Sequence, residues 1–193
     1  MKVRKFGQPR KSVAFTLIEM IGVLAVIAIL AALLIPKIFE AINNARISNA
    51  LVSYNTVKTA CMDHYAKYGG INSTTNGAVL AVPINNYDNL LLTESFLDKP
   101  FLVKVGTNSF IQVVTAGSSP YDLAGNGVYG TTNGTYVVEA IIQGVPAGDA
   151  KDLNDRLDGA TGVFAWISPD IKGRVRYDPS LAGGTVNIYI THR

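Results

Sequence analysis

The stretch AFTLIEMIGVLAVIAILAALLIP, residues 14–36, decides how the rest of the chain is to be read. From Met20 to Pro36 seventeen consecutive residues carry no charge, and Phe15, Leu17 and Ile18 extend the apolar run to about the twenty residues that cross a bilayer. By physical criteria residues 15–36 are a membrane helix. The preceding segment, MKVRKFGQPRKSVA, residues 1–14, is hydrophilic and holds Lys2, Arg4, Lys5, Arg10 and Lys11 with no acid to balance them. Cationic residues ahead of an apolar run set its orientation and keep the leading segment in the cytoplasm. An ordinary secretory signal would be cut after the apolar region. The sequence beyond Pro36, KIFEAINNARIS, offers no turn of small residues there and continues helically, so the apolar segment is expected to be retained.

Glu19 interrupts this run. A carboxylate in an otherwise apolar membrane helix costs at least about 2.5 kcal/mol on insertion scales, so it usually has a partner, and Glu19 is a functional-site candidate on that ground. Gly22 and Pro36 are further candidates. Proline inside a helix removes one backbone hydrogen bond and crowds the carbonyl four residues earlier, here that of Ala32, so a kink or loosening is expected near Pro36.

These residues resemble the processing and polymerisation segment of type IV pilins and type II secretion pseudopilins. The resemblance is specific over residues 12–42 and architectural beyond them. It implies that a prepilin peptidase cuts between Ala14 and Phe15 on the cytoplasmic side and methylates the new amine of Phe15. The family usually has Gly where this chain has Ala14, a residue still small enough for a narrow protease subsite. A freed ammonium at Phe15 and the carboxylate of Glu19, four residues on, can meet on one helix face or between neighbouring helices. In a growing filament the intermolecular version would let Glu19 attract the amine of the incoming subunit and set its axial register. The segment around Gly22 and Pro36 resembles one that partly unwinds when related filaments assemble; a simple proline kink in a continuous helix is the alternative.

Beyond Pro36 the residues Ile38, Ile42, Ala45, Val52, Val57, Ala60, Cys61, Tyr65 and Tyr68 recur at mostly three- to four-residue intervals, which predicts an amphipathic continuation ending at Gly69-Gly70. The 54 residues from Phe15 to Tyr68 would be about 80 Å long if fully helical. Residues 71–108 read as an exposed, variable connection with a short helix over 88–97 stopped by Pro100. Runs at 109–115, 135–142, 173–177 and 185–190 read as strands, and 149–157 as a short helix. The expected organisation is a leader, 1–14; a transmembrane and polymerisation helix, 15–36; an amphipathic half, 37–68; and a globular α+β head, 69–193. The fold class is α+β: a long N-terminal helix on a mainly antiparallel sheet of about four strands, as in type IV pilins.

Composition narrows the function. Five of the 17 basic side chains lie in the leader, leaving twelve against 14 acidic ones, about −2 for the remainder, so no nucleic-acid footprint is expected. Cys61 is the sole cysteine, which rules out an internal disulfide and reads as a small buried apolar residue. Asp149, Asp152, Asp155 and Asp158 recur every third residue but lack the pattern of a calcium loop, and read as a solvated acidic face. Residues 119–130, with Asp122 and Asn126, hold few ligands for the calcium loop that pseudopilins tend to share. The Asn-Gly pairs at Asn76, Asn126 and Asn133 mark turns. The glycosylation triplets at Asn72 and Asn133 carry little weight. No nucleophile, base and orienting acid come together, so no enzyme, cofactor or metal is expected.

The leading expectation is a pilus subunit for adhesion, motility or DNA uptake, whose partners are copies of itself, minor pilins, a prepilin peptidase and an inner-membrane assembly platform powered by a separate ATPase. It would sit in the inner membrane before assembly and on the cell surface afterwards. The alternatives are a pseudopilin forming a short periplasmic filament and a membrane-anchored binding module that never polymerises.

Overall fold

In the computed structural model the described residues are 15–117, 121–123, 135–159, 173–178 and 183–192. Ala14 and the leader, Asn126, Asn133, Trp166 and most of 119–130 lie outside them. The described chain is α+β. Helix α1 (Leu17–Tyr68) is followed by β1 (Ile84–Asn85), α2 (Tyr87–Thr93), β2 (Asn108–Thr115), β3 (Tyr136–Gln143), α3 (Ala147–Leu157), β4 (Val175–Asp178) and β5 (Thr185–His192). The chain divides into two compact units between Ile42 and Asn43.

In the first unit α1 is apolar on every face, and from Phe15 to Ile42 seventeen large apolar side chains are exposed. Their 18-residue window of highest mean hydropathy reaches 2.8, and none of it is buried. Burying such a side chain yields about 1.5–3 kcal/mol. Seventeen left in water would forfeit on the order of 25–50 kcal/mol, more than the about 5–15 kcal/mol that holds a whole domain folded. Length and composition are therefore compatible with a single membrane span.

In the second unit α1 buries Ile47, Ala50, Tyr54, Val57, Ala60, Cys61 and His64. This is a correction to the expected stripe. Ile38, Ile42, Ala45 and Val52 are exposed, and Tyr65 and Tyr68 half-buried. Apolar residues occur on two faces of this helix, which a count of three- to four-residue intervals does not separate; Val52, exposed, and Cys61, buried, are nine residues apart and at about 100° per residue point in opposite directions. The helix ends where expected. Gly69, at φ 73°, supplies the left-handed residue, and its N–H donates to the Tyr65 carbonyl at 2.8 Å.

Among the described residues the sheet has five strands, not four, in the order β1-β2-β3-β5-β4, with each of these pairings antiparallel. The extra strand is the two-residue β1, which pairs Ile84 with Val113 in a stretch read as an exposed connection. Two residues are too few to show the period-2 alternation by which strands are found. Strand β3 lies at the centre and is buried on both faces. Val138, Ala140 and Ile142 share one core with Ile111, Ile188 and the buried face of α1, while Val137 packs with Val114, Ala116 and Tyr121 on the other side.

Residues 71–108 also depart from expectation, since Ile71, Tyr87, Leu91, Leu97, Phe101, Val103 and Val105 are core residues. Buried polar groups fix their path. Asp88 accepts the N–H groups of Phe101 and Ile111 at 3.1 and 3.4 Å, and Ser109 Oγ accepts from Val103 N–H and donates to the Phe101 carbonyl, both at 3.1 Å. Helix α2 stops at Thr93, four residues short of the expected end. Ser95 stands at φ 62°; its N–H reaches the Leu92 carbonyl at 3.0 Å, and that of Phe96 the Leu91 carbonyl at 2.8 Å. This is a complete Schellman turn with serine where glycine is usual, so no stop signal is legible there.

Candidate functional site

The first candidate is the start of α1. Thr16 precedes the helix and Glu19 is its third residue, the spacing of a capping box. Thr16 N–H donates to Glu19 Oε2 at 2.8 Å, Thr16 Oγ1 donates to the same oxygen at 2.7 Å, and Glu19 N–H donates back to Thr16 Oγ1 at 3.3 Å. Glu19 thus satisfies backbone groups that the helix leaves orphaned, and its negative charge lies at the positive end of the helix dipole. This capping role of Glu19 and Thr16 is not among the sequence expectations. The signal was legible as Thr-x-x-Glu ahead of an apolar run.

Phe15, 73% exposed, lies one residue before this cap, so Phe15 and Glu19 are brought into one helical end. Ala14 lies outside the described residues. Gly22 is not packed against anything: a Cβ there would meet no atom within 4 Å. The helix runs through Pro36 without a break. Chemistry still leaves the Ala32 carbonyl without its usual donor, since Pro36 has no N–H. Gly22 lies one helical turn from Glu19, whereas Pro36 lies seventeen residues from it on α1.

In the head, three of the four aspartates at 149, 152, 155 and 158 have partners. Asn43 Nδ2 donates to Asp149 at 2.9 Å, Lys151 pairs with Asp155, and Asp158 Oδ2 accepts the N–H groups of Arg174 and Val175 at 2.7 and 3.0 Å. All four aspartates are half-buried, and two of them, Asp149 and Asp158, anchor α3 to other elements rather than facing solvent alone. Arg156 adds to this clasp by donating to Ser48 and Asn44 of α1 at 2.9 and 2.7 Å. Among the described residues no three His, Cys, Asp or Glu side chains are grouped so as to hold a metal ion.

The Asn72 triplet is engaged in the fold. Asn72 is buried and its Nδ2 donates to the Leu80 carbonyl at 3.1 Å. Cys61 is buried, as expected, and burial, with the Asp88 carboxylate adding, pushes its thiol up to about 12. Two buried acids were not singled out from sequence. Glu139, at the centre of β3, accepts from Gln112 Nε2 and Tyr121 Oη, each at 2.5 Å, and from Asn187 Nδ2 at 3.4 Å. Glu94 approaches His64 to 3.1 Å. A groove of about 350 Å³ runs between α1 and residues 97–101; Val52, Thr56 and Phe101 line it, and its charged residues are Asp98 and Lys99.

Compared with family models, with characterised proteins and with solved structures, the chain matches none.

Proposed function

We propose that this chain is the precursor of a pilin-like subunit. After a cut between Ala14 and Phe15 it polymerises through residues 15–36 into a helical filament whose core is the bundled apolar helices and whose surface is the heads. The observation that carries this reading is the all-round apolar α1, fully exposed from Phe15 to Leu30, with Glu19 as its sole charge before Lys37. A helix apolar on every face needs lipid or other helices around it. Membrane storage followed by helical bundling meets that need both before and after assembly. The capped Glu19 then keeps one oxygen engaged with Thr16 and can meet the amine of an incoming Phe15 with the other. Prepilin peptidase, minor pilins and an inner-membrane platform are the partners this reading requires.

The test is intact-mass analysis of protein from cells with and without prepilin peptidase, together with electron microscopy of sheared surface material. Mature chains beginning at N-methyl-Phe15 in filaments are expected. Processed protein without surface filaments would instead indicate a periplasmic pseudopilus. A chain retaining residues 1–14 in the presence of the peptidase would overturn the reading.

A further inference from the structure

His64 lies at the end of α1, fully buried, in a box of three aromatic rings: Tyr68 at 5.0 Å, Phe96 at 5.3 Å and Tyr87 at 5.7 Å between centroids, all edge-on. Tyr87 Oη donates to the Ile71 carbonyl at 2.7 Å and lies 3.0 Å from His64 Nδ1. A hydroxyl has one proton, and the shorter contact claims it, so Nδ1 carries the ring proton and donates to Tyr87. Nε2 is left as the place for a second proton. It faces Glu94 Oε2 at 3.1 Å, but off the line of a ring N–H bond, and both atoms are buried without a well-formed hydrogen bond. The other oxygen of Glu94 accepts the N–H of Thr75 at 2.8 Å, and Tyr68 Oη meets Thr75 Oγ1 at 2.7 Å.

This cluster therefore ties the loop of residues 69–80 to the last turn of α1 and the end of α2. We infer that His64 is a proton-operated latch on that loop: a proton arriving at Nε2 releases the loop from Glu94 and Tyr87. The proton would find an anion beside it but no water: Glu94 is buried already, so the added cost is that of an imidazolium enclosed by three aromatic rings, which a carboxylate off the N–H line offsets only in part. Lifting the loop restores hydration to the imidazolium. Burial accordingly holds the His64 ring below its ordinary 6.5, opposed by the Glu94 carboxylate and the Ser73 carbonyl and assisted by the Lys67 ammonium. The other titratable groups against the ring are Tyr68 of α1 and Tyr87 of α2, while the loop itself brings none.

The sign follows from proton uptake. Above pH 6.5 the ring is neutral in both states and the closed loop keeps its full stability. As pH falls below 6.5 the open state takes up the proton first, and opening rises by at most about tenfold per pH unit, the slope of one proton, until the closed state also titrates.

Amide hydrogen exchange on the full chain in nanodiscs at pH 7.5, 6.5 and 5.5, corrected for intrinsic rates, tests this. The amides of Thr75 and Leu80 should open more with acid, while Val138 and Ile188 in the sheet should not. His64→Gln should flatten the pH dependence, and Glu94→Gln should steepen it by removing the one charge that favours the imidazolium. A flat profile in the parent chain, acid-induced tightening, or an unchanged profile in His64→Gln overturns the latch. Should His64→Gln not fold, NMR titration of the labelled ring decides: a His64 midpoint at or above 6.5 refutes the inference and one below it supports it.

Discussion

Thr16→Val keeps the shape of the side chain and deletes its hydroxyl, so it dissects the cap at the start of α1. The substitution removes the 2.7 Å donation from Thr16 Oγ1 to Glu19 Oε2 and the acceptor for Glu19 N–H at 3.3 Å, and leaves the 2.8 Å bond from Thr16 N–H intact. Loss of a threonine cap costs about 1 kcal/mol, and a hydrogen bond to a charged group contributes about 1.5–3 kcal/mol. With one of the three bonds surviving, a loss of about 1–2 kcal/mol is expected for the first turn, a factor of about 5–30 in its opening equilibrium. Amide exchange in nanodiscs reads this directly. Glu19 and Met20, whose N–H groups bond back to Thr16, should exchange about 5–30 times faster, with Leu33 to Ile35 unchanged as an internal reference. Thr16→Ser should restore protection, because serine keeps both roles of the hydroxyl. Unchanged exchange at Glu19 and Met20 in Thr16→Val, or equal losses in the serine and valine variants, would refute the capping assignment. The same pair of variants separates two tasks of Glu19. If filament growth depends on its charge, Thr16→Val should loosen the helix end yet still assemble, whereas Glu19→Ala should loosen it and fail to assemble.

Ser95→Gly should stabilise the head by about 0.5–1 kcal/mol in denaturant unfolding of the full chain in micelles, because φ 62° costs an L residue about 1–2 kcal/mol and glycine returns part of that as unfolded-state entropy; a loss of stability would mean that the Ser95 side chain has a task of its own. Cys61, its thiol pushed up to about 12 by burial, should resist iodoacetamide at pH 8.5 while the head is folded and react as it unfolds. Labelling of the folded chain would show that Cys61 is reachable.

What could be read from sequence here is what depends on neighbours along the chain. Residues 15–36 announce a membrane-length helix by composition alone, and Gly69 announces its far end. The strands at 109–115 and 185–190 show their alternation over eight-residue elements, so β2 and β5 were found nearly to their ends. Failures came where chemistry is assembled across the chain. Asp149 and Asp158 read as solvated from sequence because Asn43 of α1 and the backbone at Arg174, which engage them, are distant along the chain. Gly173, at φ 76°, is required there for a reason invisible beforehand: a Cβ would lie 2.4 Å from Asp158 Oδ2.

His64 shows the same limit most sharply. On its own it is one histidine in an amphipathic helix, with no metal or catalytic partner at a telling spacing. It acquires chemistry only because Ser95 adopts a glycine-like conformation without being glycine, ending α2 early and turning Glu94 and Phe96 back toward α1. A stop at Pro100 would have left Glu94 inside a longer helix. The proton site therefore depends on a backbone choice that helix propensity disfavours, and tertiary burial of Leu91 and Tyr87 is what overrides it. This ties the two head predictions together: Ser95→Gly preserves the turn, so it should raise stability while leaving the acid dependence of Thr75 exchange in place. Ser95→Val, which cannot hold φ 62° without strain, should weaken both.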